Sequence, residues 1–307
     1  MKRSQVLRRL LAGDQALLVP GAYNAMTAKI VEQVGFPVVY MTGYGTSLGL
    51  LGMPDAGLAT MTEMILNARY MANAVSIPLI ADADTGYGNA INVMRTVREF
   101  IQAGVAAIHI EDQVAPKRCG HVAGKQVIPI EEAVGRYRAA ARVRDELDPD
   151  FVLIARTDAR GAVNGGFDEA LRRAQAYLEA GADLAFVEGL VSEEEVERAA
   201  RATGALLYNS TGVSPRIPLE QLSRWGVKIV LIPGLITRAT AMAAWDVAAD
   251  LRERGIAAEV DFQQRLSNHA LADWHGFAGF HEIRRLEEAY LPAEETAKYE
   301  GTIGYQP

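Results

Sequence analysis

Gly104-Val-Ala-Ala-Ile-His-Ile-Glu111 and Gly181-Ala-Asp-Leu-Ala-Phe-Val-Glu188 repeat one phrase, in which a glycine precedes a short apolar run and a chemically useful residue follows seven positions on. Gly35-Phe-Pro-Val-Val-Tyr-Met-Thr42 and Gly226-Val-Lys-Ile-Val-Leu-Ile-Pro233 have the same form, though the last ends on a proline. An alanine-rich or amphipathic stretch leads up to each glycine, which suits a helix C-cap because glycine enters the left-handed region at little cost. The unbroken apolar run that follows suits a parallel strand covered by helices. The terminal residues then lie at the carboxyl ends of strands, the face of a closed α/β barrel where active sites are built.

Outward from these phrases, eight strand candidates are spaced along the chain at 16–20, 38–41, 78–81, 106–110, 151–155, 184–187, 205–208 and 228–232, each followed by a helical pattern. Eight β-then-α units imply a (β/α)8 TIM barrel of class α/β. The rival open doubly wound sheet needs a glycine-rich phosphate turn, and Gly43-Tyr-Gly45 lacks its third glycine. The 307 residues divide into a catalytic barrel over 1–254 and a C-terminal helical extension over 255–307. A helical tract at 261–291, carrying Trp274, Phe277 and Phe280, is not needed by the barrel and is expected to pack on a neighbouring subunit.

Half of the residues are hydrophobic and the net charge is −7, which allows a large core and argues against nucleic acid or an anionic membrane as partner. No apolar stretch approaches the roughly 18 residues that a membrane span needs. Arg8, Arg9 and Asp14 interrupt any signal-peptide core, and the single cysteine, Cys119, fits a reducing cytoplasm.

The loops at 42–60 and 111–130 exceed the usual length of a connection and are expected to rise over the catalytic face as lids or binding loops. Asp82-Ala-Asp84-Thr-Gly86-Tyr-Gly88 follows the third strand and sets two carboxylates on one side beside glycines. Oxygen-only ligation with few protein ligands is the pattern of Mg²⁺, with Mn²⁺ as a substitute. Glu111 and Asp112 close the neighbouring strand, so that up to four carboxylates are expected to converge on one mouth, and Asp55 in the first long loop is expected to add an oxygen through water. Such an acidic cluster requires a cation. Lys117-Arg118-Cys119-Gly120-His121 lies in the second long loop, where Lys117, Arg118 and His121 favour the thiolate, so that Cys119 exchanges a proton near neutrality.

Arg156, Glu188, Asn209 and Thr211 stand at the ends of strands five to seven, and Arg238 follows strand eight. Arginines at this mouth suit a substrate carboxylate, although ion pairing of Arg156 with Asp158 or Glu188 is an equal alternative. His109 reads as a satisfied core residue, and His269, His275 and His281 as helix-surface residues, so histidine ligation of metal is not expected.

Together DADTGYG, IEDQ, KRCGH and ARTDA, in this order, resemble the isocitrate lyase and phosphoenolpyruvate mutase superfamily across nearly the whole chain. The resemblance implies a barrel whose eighth helix swaps between subunits and a homotetramer built as a pair of dimers. It also implies Mg²⁺ on Asp82 and Asp84, with Asp55 and Glu111 acting through water. The cysteine of KRCGH resembles the carbon–carbon lyases, those of 2-methylisocitrate and 2,3-dimethylmalate and the petal death proteins, whereas the mutases lack it. Thr42-Gly43-Tyr44-Gly45 is similar to the petal-protein turn, and Tyr44 is expected to narrow the pocket toward a 2-alkylmalate.

The function so implied is Mg²⁺-dependent cleavage of a 2-hydroxy di- or tricarboxylate into a 2-oxo acid such as pyruvate and a carboxylate. Tyr40 and the amides near Gly43 would support the oxyanion, Arg156, Asn209 and Arg238 the carbanion, and Cys119 would protonate it. Oxaloacetate hydrolysis is the alternative, followed by a phosphoenolpyruvate or carboxyphosphonate mutase. A Schiff-base aldolase is disfavoured because no lysine ends a strand, and a non-catalytic barrel ranks last.

Overall fold

A computed structural model describes residues 1–120, 122–299 and 301–305. Eight parallel strands close in sequence order: β1 Leu17–Ala22, β2 Val39–Met41, β3 Leu79–Asp82, β4 Ala107–Glu111, β5 Val152–Thr157, β6 Leu184–Val187, β7 Leu206–Asn209 and β8 Val227–Ile232. The helices of the first half are α1 Arg3–Leu11, α2 Ala25–Gln33, α3 Gly43–Leu51, α4 Met61–Ala74, α5 Ala90–Gln102 and α6 Ile130–Leu147. Those of the second half are α7 Phe167–Glu179, α8 Glu193–Thr203, α9 Leu219–Trp225 and α10 Leu235–Arg254. Beyond them come α11 Ile256–Leu266, α12 Trp274–Ala278, α13 Phe280–Tyr290 and α14 Ala293–Thr296.

The glycines of the opening phrases have the left-handed backbone expected of them, with φ of 102° at Gly35, 85° at Gly104, 110° at Gly181 and 90° at Gly226. Most strands run one or two residues further than the apolar runs suggest. Asp82, Glu111, Arg156, Thr157 and Asn209 all lie within the strands. Polar residues hide the strand's end in a sequence, yet their backbone groups remain in the ladder, and their side chains therefore inherit the two-residue alternation.

That alternation sorts the barrel. Val152 and Ile154, Leu184 and Phe186, Val38 and Tyr40, and Ile229 and Leu231 pack together inside it. Leu153 and Ala155 belong instead to the layer between strands and helices. Leu7 of α1 joins the inner cluster, where Leu10 and Leu11 pack beside it. The next inward residue on β3 is Asp82, on β4 it is His109 and then Glu111, and on β5 it is Arg156. Register sets Asp82 beside His109, Glu111 beside Arg156, and Arg156 beside Phe186.

The long connection at 42–60 corrects the expectation of an irregular loop, because it contains α3. Thr42 supplies the N-cap, its side chain accepting from the Gly45 amide, and Gly52 ends the helix at φ 63°. Among its described residues the connection at 111–130 is irregular, tied by an isolated antiparallel bridge between Gln113 and Val127. The tract expected as one helix over 261–291 is broken among α11, α12 and α13.

By contacts the chain divides into two compact units, Met1–Ala239 and Thr240–Pro307, so the division falls within α10. Among the described residues no helix is long and apolar enough to cross a membrane.

Candidate active site

A cavity of about 260 Å³ opens at the carboxyl ends of the strands. Tyr40, Thr42, Tyr44, Asp55, Asp82, Cys119, Gly120, Arg156, Glu188, Asn209, Thr211 and Arg238 line it, which brings together twelve of the residues singled out in the sequence. Gly43, Asp84, Glu111 and Lys117 lie outside its lining, and His121 falls outside the described residues. His269, His275 and His281 are not part of it.

On the acidic wall, Asp82 is buried, and a side chain on Gly43 would lie 2.9 Å from its carboxyl carbon. The glycine therefore lets the start of α3 approach the carboxylate. Asp84 has a left-handed backbone, φ 47°, which Asp tolerates better than most residues, and its amide donates to Asp82 Oδ1 at 2.9 Å. Burial pushes the Asp84 carboxyl up to about 6, against the pull of Lys117. Burial acts on Asp82 too, but His109, Lys117 and Arg156 hold its carboxyl below the usual range.

Lys117 lies beside the cavity and not in its lining. Its ammonium is buried between the acids, 2.8 Å from Asp84 Oδ1 and in contact with Asp55 Oδ1. The positive charge that the cluster demands is thus supplied in part by the loop itself. Glu111 is buried as well, and burial holds its carboxyl well above the usual range. Among the described residues neither Glu111 oxygen accepts a hydrogen bond, although Oε2 lies 3.2 Å from Arg156 Nε.

Within the described residues no three His, Cys, Asp or Glu side chains form a ready-made metal cage. The donor set is all oxygen, however, with Asp82 and Asp55 on the cavity and Glu111 lacking a donor behind them. That set fits a hard cation such as Mg²⁺, which keeps several waters and takes few protein ligands.

On the opposite wall, Arg156 Nε bonds Asp158 Oδ2 at 2.9 Å, and its Nη2 lies 3.3 Å from Glu188 Oε2. This arginine is therefore ion-paired and also lines the cavity. Asn209 Nδ2 donates to Glu188 Oε2 at 3.1 Å. The backbone of Gly120 comes so close that a side chain there would lie 2.7 Å from Glu188 Cγ.

His109 is fully buried, as expected of a core residue, but it is more than packing. Its Nε2 lies 2.8 Å from the Tyr40 hydroxyl, and its Nδ1 lies 3.7 Å from Asp82 Oδ1. Burial lowers its pKa to about 4, so the ring is neutral at pH 7, while burial and Asp82 keep the Tyr40 hydroxyl protonated. The strand period could have shown this, since an inward Glu111 requires an inward His109 two residues earlier. A second network is harder to foresee. Asp112, expected at the mouth with the other carboxylates, faces outward instead and accepts from Thr157 Oγ1 at 2.8 Å, the Asp158 amide at 3.0 Å and Tyr177 of α7 at 2.7 Å, which locks the end of β5 to the helix layer.

Comparison with known proteins agrees with the barrel fold. The family model described as phosphoenolpyruvate phosphomutase matches residues 7–252. The chain is 42% identical to a 2,3-dimethylmalate lyase of Eubacterium barkeri, over 94% of this chain and 99% of the relative. It is 41% identical to a 2-methylisocitrate lyase of Aeropyrum pernix, over 94% and 92% of the two chains. A solved structure of oxaloacetate acetylhydrolase with the inhibitor 3,3-difluorooxalacetate superposes with a TM-score of 0.85, at 34% identity over 94% and 97% of the chains.

Proposed function

Because the chain belongs to the phosphoenolpyruvate mutase/isocitrate lyase superfamily, we propose that it is a carbon–carbon lyase that cleaves a 2-hydroxy di- or tricarboxylate into a 2-oxo acid and a carboxylate. The observation that carries this reading is the meeting, in one cavity, of the chain's single thiol with the Asp82 wall and the Arg156 wall. The substrate's 2-hydroxy acid end faces Asp82 and Asp55, and its departing carboxylate faces Arg156, Asn209 and Arg238. A cavity of about 260 Å³ lies below the usual pocket range of roughly 300–1,000 Å³, which suits a small acid.

Asp82 and Asp84, with Asp55 and Glu111 through water, would hold Mg²⁺. When bound, it would supply charge for the oxygen of the cleaved carbinol. Tyr40, protonated and backed by neutral His109, offers a hydrogen bond without a charge, and the first amides of α3 add theirs. The hydroxyl proton leaves toward the acidic wall, and the electrons of the breaking carbon–carbon bond pass to the departing carbon. That carbon takes its proton from Cys119, and the thiolate left behind is reprotonated before the next turnover.

Relatives named lyases of 2,3-dimethylmalate and 2-methylisocitrate support both substrates, and Tyr44 on the cavity favours the shorter one. The likeness to oxaloacetate acetylhydrolase favours a second reading, hydrolysis of oxaloacetate with water in place of the retro-aldol step. Product analysis separates them. A 2-oxo acid from the malates supports the lyase, whereas oxalate from oxaloacetate without that activity supports the hydrolase.

The same reading includes a cytoplasmic homotetramer of helix-swapped dimers. Apolar side chains left open on the C-terminal helices support it: Trp245 is 77% exposed and Ile256 80%.

A further inference from the structure

Cys119 can act only if the loop presents it, and the two sides of the loop are held differently. On the near side Gln113 clamps Arg118, donating to its carbonyl at 2.8 Å and accepting from its amide at 3.0 Å. The Cys119 amide itself donates to the Asp55 carbonyl at 3.1 Å. On the far side the Gly120 carbonyl is taken by the ammonium of Lys125, which also donates to Asp158 Oδ1 at 2.9 Å.

Lys125 is only 4% exposed, and it is fixed to the barrel body by its own backbone. It bridges to Ala162, and its carbonyl accepts from the Val163 amide at 2.9 Å. Neutralising Asp158 does not explain it, because Arg156 already meets that carboxylate with two bonds, of 2.9 and 3.2 Å. What Lys125 adds is a charge-assisted bond to the residue next to the thiol. Gly120 in turn sits where any side chain would collide with Arg156 and Glu188, so its position is set closely or not at all.

We infer that Lys125 is a positioning residue that pins the Gly120 carbonyl to Asp158 and thereby seats Cys119 at the cavity. Its catalytic consequence rests on the lyase reading, whereas its structural content does not. Lys125 touches no reacting atom; it acts through the loop backbone.

Because the chain has one cysteine, alkylation by iodoacetamide reports that thiol alone. Lys125→Met is expected to raise the alkylation rate about tenfold, to lower kcat at least about tenfold and to leave KM within about threefold, the scale of one lost charge-assisted hydrogen bond. Loss of a nearby cation would by itself make a thiol less reactive, so a rise reports position. The double variant Lys125→Met/Asp158→Asn also removes the carboxylate charge that Lys125 shares with Arg156; it is expected to be as reactive as the single variant, and it serves alone if the single variant does not fold. A folded variant alkylated at the wild-type rate, or a double variant that returns to it, would overturn the inference. If wild type turns over no 2-hydroxy acid yet the alkylation difference persists, the lyase reading fails and the latch stands.

Discussion

Cys119 lines the cavity together with Gly120 and Asp82, and its proposed duty is a single proton given to carbon. Cys119→Ser keeps the shape and removes the acidity, so kcat should fall by about 10²–10⁴ while a competitive dicarboxylate binds within about threefold of wild type. Full turnover in that variant would exclude the thiol as acid. Gly43 allows a different test. Any side chain there crowds the Asp82 carboxyl, so Gly43→Ala should weaken Mg²⁺ binding by about tenfold or more, read by calorimetry on the folded variant. Unchanged affinity would separate Asp82 from the ion. Lys117, expected to favour the thiolate of Cys119, also pairs with Asp55 and Asp84, contacts that its place in the loop sequence does not reveal.

Elements carry the site through their ends. The apolar runs revealed the strands because a buried parallel strand is nearly all apolar, and eight of them imply closure. Their polar last residues were legible as chemistry but not as strand, since only the ladder shows that Glu111 and Arg156 are paired neighbours. The Asp112 network was not legible because its partners Thr157 and Tyr177 are brought to it by the fold. Removing one hydroxyl from it, Tyr177→Phe, should cost about 1–3 kcal/mol in urea unfolding. An unchanged midpoint would show that the network does not hold β5. Glu32 of α2 accepts from the Ser76 amide at 2.8 Å and the Ile77 amide at 3.3 Å, just before β3. Burial works against its charge, but the bonds from Ser76 and Ile77 prevail and hold its carboxyl below the usual range. A carboxylate so lowered stabilises the fold above its unfolded value of about 4.3 and loses that contribution as pH falls through the folded value. Glu32→Gln should therefore be less stable than wild type at pH 7 and equal to it by about pH 2. A difference that stays constant with pH would contradict this.

At the scale of the whole molecule, the barrel keeps Tyr40, Asp82, Arg156 and Glu188 on one mouth although they come from three strands and the residue that follows a fourth. If the proposed tetramer covers the apolar side chains open on the C-terminal helices, sedimentation should find an oligomer near four chains. A monomer at micromolar concentration would contradict the tetramer. The central claim is cleavage of a 2-hydroxy acid in the cavity, under Cys119, with Mg²⁺ on the acidic wall. It is tested most directly by coupled assay of 2-oxo acid release from 2,3-dimethylmalate, 2-methylisocitrate and plain 2-alkylmalates. Release with Mg²⁺ that chelation abolishes and added metal restores is the predicted result; no release from any of them, or release indifferent to chelation, would contradict it.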